Sequence, residues 1–221
     1  MEGKEPLEPD RYYHIYNHAV GKENLFVKDE NYLFFLKKYK QYISPIADTF
    51  AYCLMPNHFH LATRIKPVHD LLGALQGLIS PDRVQNPVRA GNAVPNPVRA
   101  YEMNDFISKQ FSNLFNSYAQ AFNKQQARKG SLFERPFERK LITSDEYFRN
   151  LIHYIHFNPV HHGFVNDLRD WKYTSFESFF SSKATSIKRD EVIEWFHDKE
   201  NFQAFHKREI DEKMALELEF I

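Results

Sequence analysis

The stretch TFAYCLMPNHFHLATRI, residues 49–65, decides the fold. Its two arms, 49–54 and 58–65, are rich in aromatic and β-branched residues, which favour strands. The Met-Pro-Asn segment between them forms a tight connection, because proline and asparagine are common turn residues. The stretch therefore predicts an antiparallel hairpin of two strands.

Further elements are predicted on both sides of this hairpin. Residues 12–20 alternate in the manner of a strand, and Asp29 can cap a helix that runs to about Tyr42. After the hairpin we expect a helix over 68–79, a helix from 104 or 105 to about 129, a strand over 137–143, and a helix that begins after Ser144 and ends before Pro159. From Trp171 onward the chain is aromatic, then charged and helical over 190–218.

A repeat interrupts this order. The pentapeptide Asn-Pro-Val-Arg-Ala occurs at 86–90 and again at 96–100. Four prolines and little apolar content between 81 and 100 argue against a core element. We expect 81–100 to form a flexible surface insertion.

Composition narrows the class of protein. The chain has 221 residues, of which 43% are hydrophobic and 26% charged, as expected of a globular protein. No run approaches the ~18 apolar residues of a membrane span, and the polar start is unlike a signal peptide, so we expect a cytoplasmic protein. Cys53 is the only cysteine, which excludes a disulfide framework and a cysteine-rich zinc site.

Charge is unevenly distributed along a chain whose formal net charge is zero. Between 109 and 140 seven Lys and Arg residues stand against two acidic residues, whereas 189–221 holds five bases and ten acids. A basic region can attract nucleic acid even in a neutral protein, although a solvated face is the commoner meaning of such a cluster. The candidate nucleic-acid-binding residues are Arg128, Lys129, Arg135, Arg139 and Lys140.

Two histidines in the second arm of the hairpin could bind a metal ion. His58 and His60 are two positions apart on a strand, so both imidazoles project from the same face about 7 Å apart. Phe59 and Leu61 then face the core. From spacing alone, a pair of solvent-facing histidines is the commoner arrangement, so both interpretations stay open.

A tyrosine and an asparagine share one face of the predicted helix that follows Ser144. Tyr154 and Asn158 are four residues apart, which places a phenol and an amide on the same side. A phenol with a free pKa of about 10 attacks efficiently only when its phenolate is stabilised or a cation polarises its target. A packed aromatic with a hydrogen-bonded hydroxyl is the commoner alternative. Tyr118 is a second candidate, but an apolar stripe at helical spacing favours the core for it.

Four short motifs connect these residues to a known family. They are YHIYN at 13–17, MPNHFHL at 55–61, GSLF at 130–133 with Arg135, and YIHFNPV at 154–160 with His162-Gly163. In this order they resemble the single-tyrosine HUH transposases (IS200-like), most closely the REP-associated branch, over roughly residues 12–176. The second and fourth motifs are specific in combination, whereas either alone would be weak.

The resemblance implies an α+β fold, with a ferredoxin-like antiparallel sheet and helices on one face. This agrees with the element order predicted from the residues. We expect an HUH single-tyrosine transposase-like domain over 1–176, with 81–100 as its flexible insertion. A helical C-terminal extension is expected over 177–221.

The resemblance also implies a reaction. Carried over to this sequence, it makes His58 and His60 the metal-binding pair, Asn158 the third ligand and Tyr154 the nucleophile. The divalent metal ion is Mg²⁺ or Mn²⁺ in the family, and two imidazoles favour the softer Mn²⁺. Tyr154 would attack a phosphate of single-stranded or hairpin DNA and form a 5′-phosphotyrosyl intermediate, which a new 3′ hydroxyl reverses.

Two other functions stay open. One is a catalytically inactive protein that binds single-stranded DNA or RNA through the basic residues and exposed aromatics. The other is a metal-dependent phosphodiesterase that uses water, for which Tyr154 would be dispensable. We expect a cytoplasmic, nucleoid-associated protein with no membrane partner, either a monomer or a homodimer.

Overall fold

The computed structural model describes residues 5–78 and 100–210, together with Ala215 and Leu218. In chain order the elements are β1 (Tyr12–His18), α1 (Asp29–Tyr42), β2 (Ala47–Leu54), β3 (His58–Ile65), α2 (Val68–Leu78), α3 (Ala100–Gln125), β4 (Glu138–Leu141), α4 (Asp145–His161), α5 (Arg189–Trp195) and α6 (Lys199–Phe205). The predicted insertion, 81–100, lies outside the described residues except for Ala100, at which α3 begins. None of the described helices is long and apolar enough to cross a membrane.

The described strands form an antiparallel sheet in the order β2-β3-β1-β4. β2 and β3 pair around the tight connection, which confirms the predicted hairpin. Leu54 lies opposite Phe59, and the backbone N–H of Met55 donates to the carbonyl of His58 at 2.8 Å. β1 lies between β3 and β4, which gives the strand order of a ferredoxin-like sheet and confirms the predicted α+β class.

Helices α1 and α3 cover one face of the sheet. Ile15 of β1 and Phe59 and Leu61 of β3 point to this face and belong to the same buried cluster as Phe35 of α1 and Phe111 of α3. Full burial of one such side chain contributes about 1.5–3 kcal/mol, so this layer is a main source of stability.

Helix α4 covers the opposite face. Phe148 and Ile152 of α4 lie in a second buried cluster with Cys53 of β2 and Ala62 of β3. The expectation of helices on one face therefore holds for α1 and α3, whereas α4 lies on the other face. Small side chains such as Ala62 and Cys53 leave room for a helix to lie close to the sheet.

The starts of two helices follow local side-chain chemistry. The prediction that Asp29 caps α1 is wrong: Lys28 occupies the cap position, Asp29 is the first helical residue, and Asn31 Oδ1 accepts from the backbone N–H of Lys28 at 2.9 Å. The start of α4 is as predicted, because Ser144 Oγ accepts from the backbone N–H of Tyr147 at 3.1 Å.

The end of α4 differs from the prediction. The helix does not end before Pro159 but continues to His161. It closes at Gly163, which has a φ of 70° and donates its N–H to Val160 O at 2.9 Å, while the N–H of Phe164 donates to Pro159 O at 2.9 Å. These two bonds form a Schellman cap, which stabilises a last turn that contains proline.

The C-terminal extension packs against the outer side of α4. Phe179, Phe196 and Phe202 lie in the same buried cluster as Ile155 of α4, and the predicted helical character is confirmed by α5 and α6. A boundary between 176 and 177 stays a prediction.

A polar chain also joins α4 to the extension. His156 Nδ1 lies 2.9 Å from His206 Nε2, and His156 Nε2 lies 2.9 Å from Ser175 Oγ. His206 Nδ1 donates to the carbonyl of Phe202 at 2.8 Å, so the N–H of His156 donates to His206. Each ring therefore has a defined tautomer and orientation.

The cap at Gly163 gives a prediction about stability. Gly163→Ala should lower the free energy of unfolding by about 1–2 kcal/mol, because a Cβ disfavours a left-handed backbone. Nothing lies within 4 Å of the added Cβ, so no clash contributes. Gly73→Ala is the matched control, because it lies inside α2 with equal space and should raise stability by about 0.5–1 kcal/mol. Urea denaturation measures both, and equal effects of the two changes would contradict this account of the cap.

Buried neutral histidines give a prediction about pH. Burial lowers the pKa of His206 to about 3 and that of His153 to about 4, from an ordinary value of 6.5. Because the folded pKa lies below the unfolded one, the unfolded state takes up protons first as pH falls below 6.5. Each such group then costs up to about 1.4 kcal/mol per pH unit. We expect the Tm, followed by circular dichroism, to be flat above pH 7 and to fall between pH 6.5 and 5.

The contribution of one histidine can be isolated with two variants. His206→Gln should make the fall in Tm below pH 6.5 shallower than in the wild type. His69→Gln, at an exposed position on α2, should leave it unchanged. A wild-type Tm that stays constant from pH 7 to 5 would show that these histidines are not buried neutral groups.

Candidate active site

The sheet face beneath α4 carries a row of histidines. His58 and His60 both project from β3 to this face, and their ring centroids are 5.1 Å apart. β1 pairs with β3 so that His18 lies opposite His58 and Tyr16 opposite His60. Since directly opposed side chains share a face, alternation along β1 adds His14 to the row.

Helix α4 brings Tyr154 and Asn158 to the same place. The ring of Tyr154 meets the ring of His60 edge-on with 5.3 Å between centroids. Asn158 Oδ1 lies 2.9 Å from His58 Nε2, although the two residues are 100 positions apart in the chain. The predicted metal ligands and the predicted nucleophile therefore meet on one sheet face of one chain.

His58 lies between two amide oxygens. Its Nδ1 is 2.9 Å from Asn57 Oδ1, and its Nε2 is 2.9 Å from Asn158 Oδ1. Burial lowers the pKa of His58 to about 3, so the ring is neutral and carries a single N–H. One N–H cannot serve two oxygens, so in this orientation of the two amides one contact brings lone pairs together, a conflict that turning the Asn158 amide over to present its NH2 would relieve. A cation held by Nε2 and Asn158 Oδ1 would remove this conflict, with Nδ1–H donating to Asn57.

The distances also suit a metal ion. Two ligand atoms that bind one ion at right angles, with bonds of about 2.1 Å, lie about 3.0 Å apart. His58 Nε2 and Asn158 Oδ1 are 2.9 Å apart. His60 Nε2 is buried without a hydrogen-bond partner among the described residues and supplies a third candidate ligand atom. The residues present therefore fit a divalent cation.

The donor set is neutral. In the part of the chain that the structure describes, no group of three or more His, Cys, Asp or Glu side chains could hold a metal ion. Two imidazoles and one amide leave coordination positions that oxygen atoms of water or of a substrate would fill. Such a set suits an ion that is completed by a phosphate.

Burial sets the electrostatics of this cluster. His58 and His60 are 3% and 1% exposed, and Tyr154 and Asn158 are fully buried. Loss of hydration holds the pKa of His60 well below 6.5, so its ring is in the neutral form that binds metals. The same burial means that a substrate reaches Tyr154 only when neighbouring side chains move.

Three further histidines lie against the pair, and no role at the metal site was predicted for them from the sequence. His14 Nε2 is 2.9 Å from His60 Nδ1, and the rings of His18 and His162 lie 4.8 Å and 5.0 Å from that of His58. The alternation of His14 and His18 along β1 was the available signal. His162 was part of the fourth motif, but no contact with His58 was predicted for it.

The alternative nucleophile, Tyr118, lies in the other core. Its hydroxyl donates to the carbonyl of Leu25, and its ring packs against Phe26 and Phe35. Burial raises the pKa of the Tyr118 phenol. Because the α1 and α3 layer lies on the opposite face of the sheet from His58, Tyr118 does not share the histidine site.

Arg128, one of the candidate DNA-binding residues, is held within the fold. Its guanidinium forms an ion pair with Glu23 and donates to Asn123 Oδ1 and to the carbonyl of Ser131. These contacts fix the segment that follows α3. A structural role therefore accounts for Arg128.

The other four candidates differ in exposure, because two are exposed and the two on β4 are half-buried. Lys129 and Arg135 are exposed, and Arg139 and Lys140 lie on β4. The charged group of Arg139 is 5.1 Å from the centroid of the Phe137 ring, which is a cation–π distance. The predicted cluster thus consists of one arginine that is anchored in the fold, two exposed residues before β4 and two half-buried residues on β4.

A cavity of about 710 Å³ lies between α3 and the segment 130–137. Arg135 and Arg139 line it together with the amides of Asn17, Asn116 and Gln120. Arg139 Nε is buried without a hydrogen-bond partner among the described residues. The lining of this cavity does not include the histidine pair or Tyr154, so it is separate from the candidate active site.

Comparison with known proteins found a similar sequence and a similar structure. No protein-family model matches the chain. A curated protein of Haemophilus influenzae named "Putative REP-associated tyrosine transposase" is 28% identical over 131 residues, which are 58% of this chain and 58% of that protein. The chain thus spans little more than half the length of this relative.

A solved structure is also similar. It is described as "Structure of the REP associates tyrosine transposase bound to a REP hairpin", and it aligns with a TM-score of 0.49 and 14% identity over 82% of this chain and 86% of that one. The fold of this chain is established by its own strand order. The name of the curated relative supports the resemblance carried by the four motifs.

The contact between His58 and Asn158 gives a prediction about metal affinity. Asn158→Leu should weaken Mn²⁺ binding by about tenfold or more, because it removes an oxygen ligand. Asn158→Asp should strengthen binding, because a carboxylate adds negative charge beside the ion. Isothermal titration calorimetry of Mn²⁺ into the protein measures both, with Asn166→Leu at an exposed position as the control. Equal affinities in all three variants would exclude Asn158 as a ligand.

Proposed function

We propose that the protein is a single-tyrosine HUH transposase, a single-strand endonuclease and strand-transferase that nicks and rejoins hairpin-forming DNA. The observation that carries this proposal is the meeting of His58, His60, Asn158 and Tyr154 beneath α4. The motifs that supply these residues lie far apart in the sequence, and the fold joins them. The family name of the curated relative agrees with this conclusion.

Tyr154 is the nucleophile in this proposal. Its hydroxyl oxygen forms a bond to the phosphorus of a phosphodiester, and the bond from phosphorus to the 3′ oxygen breaks. The phenolic proton ends on the released 3′ oxygen, so the products are a 5′-phosphotyrosyl bond and a free 3′ hydroxyl. A different 3′ hydroxyl reverses the step and rejoins the strand, which requires no nucleoside triphosphate.

His58, His60 and Asn158 are the residues that would hold Mg²⁺ or Mn²⁺, which when bound polarises the scissile phosphate. The imidazoles contribute neutral lone pairs, because burial disfavours their protonation. Asn57 fixes the ring of His58 through its contact with Nδ1. The protein thereby holds two ligand nitrogens and one amide oxygen ready beside Tyr154.

The site must open for a DNA phosphate to enter. His18 and His162 contact the ring of His58 and are the more exposed members of the cluster. His14 and Tyr154 are fully buried on the other sides. A DNA strand therefore approaches from the side of His18 and His162, at the end of α4.

The proposed partner is single-stranded or hairpin DNA. Lys and Arg contacts to phosphates give affinity that does not depend on sequence, and base contacts add specificity. Lys129 and Arg135 are exposed, and Arg139 lines the cavity beside α3. These residues and Lys140 are proposed to contact the DNA backbone, whereas Arg128 acts through the fold.

Covalent attachment separates this function from the alternatives. We expect the wild-type protein to form a denaturation-resistant adduct with a labelled single-stranded hairpin library in Mn²⁺. Tyr154→Phe and His58→Ala should each abolish the adduct, because one removes the nucleophile and the other a metal ligand. Gel electrophoresis after denaturation measures it.

Tyr118→Phe is the matched control, since it makes the same side-chain change in the other core. It should lower the free energy of unfolding by about 1 kcal/mol through loss of its hydrogen bond to Leu25, while the adduct persists. Binding without any adduct would identify a catalytically inactive DNA-binding protein. Cleavage that survives Tyr154→Phe would instead identify a phosphodiesterase that uses water.

A further inference from the structure

Both histidines of the candidate metal pair are held at the same ring atom. Nδ1 of His58 is 2.9 Å from Asn57 Oδ1, and Nδ1 of His60 is 2.9 Å from His14 Nε2. In each ring Nδ1 is engaged in this contact, so Nε2 is the nitrogen that is left to bind a metal ion. The partner of His60 is another histidine, on the neighbouring strand β1.

The contact between His14 and His60 has two possible directions. Both rings are buried, which disfavours a charged imidazole, so each ring is neutral and has one N–H. If His60 donates from Nδ1, its Nε2 keeps a lone pair that can bind a cation. If His14 donates from Nε2, the proton of His60 is on its own Nε2, and that nitrogen cannot bind a cation.

The fold does not otherwise decide between these directions. His14 Nδ1 and His60 Nε2 both lack hydrogen-bond partners among the described residues, so each tautomer leaves one buried N–H unsatisfied. Buried polar atoms without partners are rare in proteins and call for a reason. A cation at His60 Nε2 would engage that lone pair and select the tautomer in which His14 accepts, while the Nδ1–H of His14 keeps no hydrogen-bond partner among the described residues.

We propose that His14 is a positioning residue for the metal site: its Nε2 accepts the Nδ1–H of His60, fixes the orientation of that ring and keeps the Nε2 lone pair of His60 available to the ion. This role rests on the metal site of the proposed function. Residues that orient a metal-binding histidine through its second nitrogen strengthen binding without touching the metal. The ring contact of 5.1 Å between His14 and His60, with planes 26° apart, restricts rotation of His60 further.

Calorimetric titration with Mn²⁺ tests the role of His14. His14→Leu keeps a similar volume but removes the acceptor, and it should weaken Mn²⁺ binding by about 10- to 100-fold. His14→Gln restores an acceptor oxygen and should bind Mn²⁺ close to the wild-type affinity. His153→Leu is the control, because it also replaces a buried histidine that has an unpartnered ring nitrogen.

A second readout follows the proton itself. In protein labelled with ¹⁵N-histidine and saturated with diamagnetic Mg²⁺, the ring nitrogen shifts of His60 should show a protonated Nδ1 and an unprotonated Nε2. In His14→Leu the proton should redistribute between the two nitrogens of His60. A merely structural role for His14 would change the Tm without changing the tautomer of His60.

The outcomes separate this inference from the proposed function. If the wild type binds Mn²⁺ and His14→Leu binds it equally well, the positioning role is refuted while the metal site stands. A protonated Nε2 on His60 in the Mg²⁺-saturated wild type would also refute it. If the wild type binds no Mn²⁺, the metal site fails, and the role of His14 fails with it.

Discussion

The register of β3 between β1 and β2 is the constraint on which the candidate site depends. Because side chains alternate along a strand, His58 and His60 face α4 while Phe59 and Leu61 face α1 and α3. A shift of one residue would exchange the two sets and place imidazoles in the apolar layer. The pairing that buries the core is therefore the same pairing that assembles the histidine row, and neither can change alone.

Local patterns in the sequence were enough to predict the hairpin and the order of the elements, because periodicity and turn residues act over short distances. The end of α4 was missed, since two backbone bonds around Gly163 offset the effect of Pro159 and no single residue signals them. The resemblance to a family motif predicted that His58, His60 and Tyr154 belong to one site. The contact of His14 with His60 depends on how two strands align, which the sequence of either strand does not specify.

The two faces of the sheet are stabilised in different ways. The face beneath α1 and α3 is mainly apolar, although it also buries Asn17 and Thr63, whereas the face beneath α4 buries a row of imidazoles that lose hydration. Phenylalanines of the C-terminal extension, including Phe179 and Phe202, add apolar area behind α4. The extension therefore adds apolar burial to the same layer that contains the polar inner face, in a cluster that also includes Phe50 and Cys53 of β2.

Helix α4 packs on the sheet of its own chain, so the phenol of Tyr154 and the imidazole of His60 belong to one polypeptide. Under the proposed function each molecule carries a complete set of reacting groups. Two copies of the gene with different lesions, one at Tyr154 and one at His58, would then encode proteins that cannot restore each other by association in this arrangement. Such lesions would fall into one complementation group. A functional copy of the gene must therefore encode Tyr154 and His58 intact in the same chain.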